Sequence, residues 1–214
     1  MEYSVNKVNF LYILIAAAVG FGTSYMIFSQ YSPKCTSEKQ FALNQAMRKL
    51  WSDHVFWTRL YIISAAADSP DIQPTTNRLL KNQEDLGNAV ASYYGNDAGK
   101  KLTELLKEHI LIAADVVTQA KNNNQEKLEE ADKKWHKNAE DIATFLSSAN
   151  PNWPKDDLVN MLNLHLKLTT DEAVARLQKK WSDDIAAFDK VFVQALSMAD
   201  ALTTGIVKQF PDKF

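Results

Sequence analysis

The stretch Leu50-Trp51-Ser52-Asp53-His54-Val55-Phe56-Trp57-Thr58-Arg59 decides the fold. With Met47, Leu60 and Tyr61, its apolar residues recur at helical rather than strand spacing, so it reads as the middle of a helix. Asp53 and His54 fall within this Trp-rich apolar stripe. Polar groups in such a place must find hydrogen-bonding partners once buried. The segments around His109 and His165 repeat the arrangement.

Outward from this stretch, the chain reads as helices with short breaks. Ser37-Glu38-Lys39-Gln40 is a capping box, and it opens a long helix to about Ala67. The run 68–74, with prolines at both Pro70 and Pro74, breaks it. A second helix is predicted from about Thr75 to Tyr93, a third to about Lys121 and a fourth to about Ser148. The segment Ala149 to Pro154 is a stiff turn, because two prolines cannot donate. Pro154 followed by Asp156 and Asp157 suits a helix start. A fifth helix is predicted to end near Leu168. Thr169-Thr170-Asp171-Glu172 reads as a second capping box opening a last helix to about Gln209, with Pro211 terminating it. No segment alternates with a period of two, so no strand is expected.

The pattern repeats internally. Lys81, Asn82, Glu84 and Asp85 recur as Lys137, Asn138, Glu140 and Asp141, an offset of 137 − 81 = 56. The same offset carries His109 to His165, and segments 81–115 and 137–171 share ten identities. Helices two–three and four–five therefore read as duplicated hairpins, which the long first and last helices complete. Trp51-Ser52-Asp53 also echoes Trp181-Ser182-Asp183. The expected fold is all-α: an N-terminal transmembrane helix, then an antiparallel bundle of about six helices over residues 34–214. A core of about 180 residues buries roughly 70% of its extended-chain surface.

Residues 1–33 read as a membrane anchor. Val8 to Pro33 carries no charged side chain, and its centre, Phe10 to Phe28, is 19 residues long. At about 1.5 Å per residue that nearly spans a hydrocarbon core of roughly 30 Å. Residues 9–30 are thus expected to contact a lipid bilayer as a single-pass span. The rival reading is a cleaved signal peptide, with a weak n-region (Lys7 opposed by Glu2) and no clean small-x-small site. Cys35, just past the span, is a weak candidate for S-palmitoylation. The lysines and arginines after the span favour a cytoplasmic domain only slightly, and a cellular and a viral membrane fit equally well.

Composition removes several functions. The net charge is −2, with no basic excess for a phosphate backbone, so nucleic acid is not an expected partner. A single cysteine forbids an internal disulfide and any Cys-based zinc site within one chain. There is no Gly-x-Ser-x-Gly elbow, no Glu-x-x-His and no His-Glu-x-x-His.

Residues 50–59 (LWSDHVFWTR), 139–154 (AEDIATFLSSANPNWP) and 205–214 (GIVKQFPDKF) resemble a family of uncharacterised bacterial-type helical proteins. The resemblance covers nearly everything after residue 40. It implies an intact domain and carries no activity.

Three helices each present one inward histidine: His54, His109 and His165. His136 lies on the flank of its helix. Asp53 and Asp184 share stripes with large apolar residues, whereas Asn82, Asp85, Asn138 and Asp141 sit at stripe edges. Two functions follow. The first is a membrane-anchored bundle with a structural or interaction role and an unknown protein partner. The second is a metal- or small-ligand-binding bundle in which His54, His109 and His165 ligate a transition metal ion, with Asp53 or Asp184 as ligand or as the acid that fixes an imidazole tautomer. Against the second stands the ordinary alternative for a histidine on an apolar stripe, a hydrogen-bonded core residue.

Overall fold

The computed structural model describes residues 37–214, which form one compact unit. The expected transmembrane helix within residues 1–33, its bilayer contact over 9–30 and Cys35 lie outside the described residues. Among the described residues, no helix is long and apolar enough to cross a membrane.

Six α-helices fill this unit, with no strand among the described residues: α1 Glu38–Ala67, α2 Ile72–Tyr94, α3 Asn96–Lys121, α4 Gln125–Ala149, α5 Lys155–Leu177 and α6 Trp181–Gln209, followed by a short 3₁₀ turn, Pro211–Lys213. Short connections make sequence neighbours pack as antiparallel hairpins. Each helix packs on the next and α6 packs back on α1, closing a ring, while α1, α3 and α5 also touch one another across its centre.

Local chemistry sets most of the ends. The Ser37 hydroxyl accepts from Gln40 N at 3.1 Å and the Gln40 side chain accepts from Ser37 N at 3.4 Å, so the first capping box forms. Asp68 ends α1 in the left-handed region, φ 52°. Helix α2 starts at Ile72, earlier than expected. Pro74 falls in its first turn, where the missing N–H has no intrahelical acceptor to lose.

The second capping box does not form. Helix α5 runs through it to Leu177, and the chain turns at Lys179, φ 59°. Tertiary packing overrides the local signal: Glu172, instead of reaching back to a cap, is buried and bonds Arg59 Nη1 at 2.7 Å. The Trp-Ser-Asp echo also fails as a structural equivalence. Trp51 is buried in mid-helix, whereas Trp181 opens α6 and is exposed.

The internal repeat is threefold rather than twofold, and its unit is the hairpin α1–α2, α3–α4 or α5–α6. Asn82 Nδ2 donates to Leu50 O at 3.0 Å, Asn138 Nδ2 to Leu105 O at 3.1 Å and Gln194 Nε2 to Met161 O at 3.0 Å. In each hairpin the accepting carbonyl lies four residues before the histidine. The histidines are spaced 109 − 54 = 55 and 165 − 109 = 56 residues apart, and the amides 138 − 82 = 56 and 194 − 138 = 56. Leu86, Ile142 and Met198 are matching core positions, all buried.

Two close approaches depend on glycine. A Cβ on Gly87 would lie 2.6 Å from Gly99 O, so α2 and α3 meet backbone to backbone. A Cβ on Gly205 would lie 1.9 Å from Trp153 Nε1, so the α4–α5 turn seats its indole directly on α6. The C-terminal tail docks on the bundle: Phe210 packs edge-on against Tyr94 and Phe214 stacks on Tyr93, with ring centroids 5.3 and 5.9 Å apart.

Candidate functional site

The three inward histidines are drawn together. His54, His109 and His165 are all buried, one on each of the helices that meet across the ring, and the His54 and His165 ring centroids are 5.6 Å apart. Along all three helices, residues before the histidine line one small apolar cavity and residues after it line another. The imidazoles form a polar layer between them.

Each ring is held by an amide from the second helix of its own hairpin. His109 Nδ1 lies 2.8 Å from Asn138 Oδ1. The Asn138 nitrogen is committed to Leu105 O, so the imidazole donates at Nδ1. Its Nε2 accepts from the Trp135 indole at 3.1 Å, which uses both ring nitrogens in the neutral form. His165 Nδ1 lies 2.9 Å from Gln194 Oε1 and donates by the same logic. His54 differs: Gln83 Nε2 lies 3.3 Å from His54 Nδ1, but its two hydrogens already have Leu79 O at 2.8 Å and Asn82 Oδ1 at 3.2 Å as acceptors, so this contact does not set the His54 tautomer. Burial pushes all three imidazoles below their ordinary pKa, His109 to about 4. The neighbouring histidines depress His54 further.

No family model, curated protein or solved structure matches the chain.

The carboxylates expected beside the histidines go elsewhere. Asp53 lies toward the surface, bonded to Lys49 at 2.6 Å, with Arg78 at 3.8 Å. Asp184 is buried as expected, but its partners are guanidinium groups: Arg59 at 2.9 Å and Arg176 at 3.1 Å. With Glu172 this makes a compact cluster of two arginines and two acids joining α1, α5 and the start of α6. Burial pushes the Glu172 carboxyl up to about 7, while Arg59 pulls it back. Among the described residues, no group of three or more His, Cys, Asp or Glu side chains is arranged to hold a metal ion. The geometry is that of core histidines satisfied by amides and an indole, not of ligands converging on one point. His136 stays at the surface, with its Nδ1 near Asp132 O.

The sequence reading missed the clamps. Asn82 and Asn138, placed at stripe edges, are buried, and so are Gln83 and Gln194. A signal existed: an amide follows each histidine at 83 − 54 = 138 − 109 = 194 − 165 = 29 residues, one hairpin length. Arg59 and Glu172 carried no comparable pattern.

Proposed function

We propose that the chain is a membrane-anchored helical-bundle domain with a structural or interaction role. The observation that carries this reading is the placement of the exposed apolar side chains. Phe56 (50% exposed), Leu60 (43%), Trp181 (52%), Ile185 (56%) and Val193 (64%) stand on α1 and α6; Leu111 (55%) on α3 and Leu164 (48%) on α5 are also exposed, and α2 and α4 carry no large hydrophobic residue so exposed. Phe56 also meets Phe188 and Phe192, with centroids 5.7 and 5.8 Å away, so these three rings of α1 and α6 form a joined aromatic patch. The interior supports the same reading, because its polar groups serve to hold the helices in register. The anchor rests on the uncharged run from Val8 to Pro33.

The test has two arms. The full chain, expressed in cells and extracted with alkaline carbonate, is expected to stay in the membrane pellet. Release into the supernatant would remove the anchor. A photocrosslinking residue at position 56 or 185 is expected to give discrete protein adducts that the same residue at position 81, on α2, does not. Equal labelling from both faces would remove the interaction surface.

A further inference from the structure

The seam between the start of α1 and the end of α2 is open as a surface groove. Its floor is apolar: Ala42, Leu43 and Ala46 on α1, Ala89 and Tyr93 on α2, and Phe214 from the tail. The repeat shows why it is open. Ala46 and Ala89 stand where the second hairpin carries Lys101 (46 + 55 = 101) and Phe145 (89 + 56 = 145). Two alanines in place of a long cation and an aromatic ring leave the seam unfilled.

Two lysines edge this groove, Lys39 on the first turn of α1 and Lys213 in the tail. Lysines elsewhere on the bundle, such as Lys49, Lys134 and Lys167, pair with an acid one turn away. Lys39 has Ala42 and Leu43 at that spacing, and neither Lys39 nor Lys213 has an ion-pair partner among the described residues. The Lys213 ammonium lies over the faces of Tyr93 and Phe210, 5.1 and 4.9 Å from their centroids, which holds it at the rim without neutralising it. Phe41 stands exposed on the same turn of α1 as Lys39. A cationic rim over an apolar floor matches an amphiphile with an anionic head.

Chain length points to the source of such a molecule. Pro33 ends the uncharged run and Ser37 caps α1, so the four residues between them reach at most about 14 Å. The start of α1, and the groove with it, is therefore the part of the bundle that the chain keeps within reach of a bilayer holding residues 9–30. We infer that this groove binds an anionic phospholipid of that bilayer, with its phosphate between Lys39 and Lys213 and the upper part of one acyl chain against Ala42, Ala46 and Ala89. The inference rests on the anchor in the proposed function and uses neither the aromatic patch of α1 and α6 nor the histidine layer.

The test uses the full chain in phosphatidylcholine nanodiscs carrying a trace of phosphatidylglycerol with a diazirine high on one acyl chain. After irradiation, adducts are mapped by peptide mass spectrometry. Label is expected in two regions: residues 10–28, which report the anchor, and the groove at residues 39–46 and 89–93. A phosphatidylcholine bearing the same diazirine should label the anchor equally and the groove several-fold less. Lys39→Gln with Lys213→Gln, at two exposed positions, should cut the groove label several-fold. Lys100→Gln with Lys101→Gln, an equal loss of charge at the start of α3, should leave it unchanged. Ala89→Phe, which supplies the ring that position 145 carries, should abolish it in a protein whose thermal transition is kept. Anchor label without groove label overturns the groove site and leaves the anchor standing. Groove label that is equal for the two lipids, or unchanged by the Lys39 and Lys213 substitutions, does the same. Absence of both labels overturns the anchor and the groove site with it.

Discussion

Acid should weaken this domain through its histidine layer, and His109 gives the cleanest measure. Its folded pKa is about 4, against an ordinary value of 6.5. The folded form therefore binds fewer protons than the unfolded chain between those values, and stability falls as pH drops from about 6.5 toward 4. At about 1.36 kcal/mol per pH unit, the full window is worth about 3 kcal/mol from this one ring. That is a large part of the roughly 5–15 kcal/mol by which domains are stable. His54 and His165, also depressed, act in the same direction. Glu172 acts in the opposite one. Its folded pKa, raised to about 7 from 4.5, means the folded state takes up a proton first on acidification, so its contribution is present below 4.5 and lost as pH rises through 7. The total slope thus mixes signs, and a difference between variants isolates His109. The experiment is urea unfolding of wild type and His109→Gln at pH 6.0 and 5.0, Gln being able to keep a bond to Asn138. Wild type should lose about 1.2 kcal/mol more than the variant across that interval. Equal losses, or a larger loss in the variant, would refute the assignment of His109 as a buried neutral ring.

Three further outcomes follow from single contacts. Asn138→Ala strips the His109 Nδ1–H and Leu105 O of their buried partner at once and should cost about 2–4 kcal/mol in denaturant unfolding, whereas Asn163→Ala, on the half-buried flank of α5, should cost under about 1 kcal/mol. Arg59→Leu leaves Glu172 and Asp184 buried with only Arg176 beside them. It should destabilise by about 3–5 kcal/mol at pH 8 and by less at pH 6, where Glu172 is protonated; a pH-independent loss would argue against a buried Glu172. Gly205→Ala drives a methyl into the Trp153 indole and should lower stability by about 1–3 kcal/mol. The change should be visible as a shift in near-ultraviolet circular dichroism, and an unchanged melting curve would mean Trp153 sits elsewhere.

The helices were legible because their stripes and breakers agree: Ser37 to Gln40 opens α1 as its capping box predicts, and the Gly95 turn separates α2 from α3. The α5–α6 boundary was not. Thr169 and Glu172 mimic a cap locally, and only the position of Arg59, more than a hundred residues away in sequence, shows why Glu172 belongs inside a helix. The histidines were placed inward correctly from Leu106, Leu162 and Trp51, which flank them at one turn. Their partners were misjudged for a physical reason. Asp53 and Asp184 lie on apolar stripes, but a carboxylate must find a cation, and Lys49, Arg59 and Arg176 were nearer than any imidazole. The amides look like surface residues by type, and only the recurrence of the 29-residue spacing marks them as core. The third copy of the hairpin escaped notice because α1 carries few identities with α3 and α5; it keeps the geometry at Leu50, His54 and Asn82 rather than the residues around them.

The measurement that bears most directly on this account is a long-range ¹H–¹⁵N correlation spectrum of the histidine rings, followed from pH 7.5 to 5. The structure leads us to expect three neutral rings that do not titrate at 6.5, with His109 and His165 protonated at Nδ1. Imidazolium shifts at pH 6, or one shared set of fast-exchanging tautomers, would show that the rings are hydrated and free of their amides. The threefold clamp would then not be what holds the bundle together.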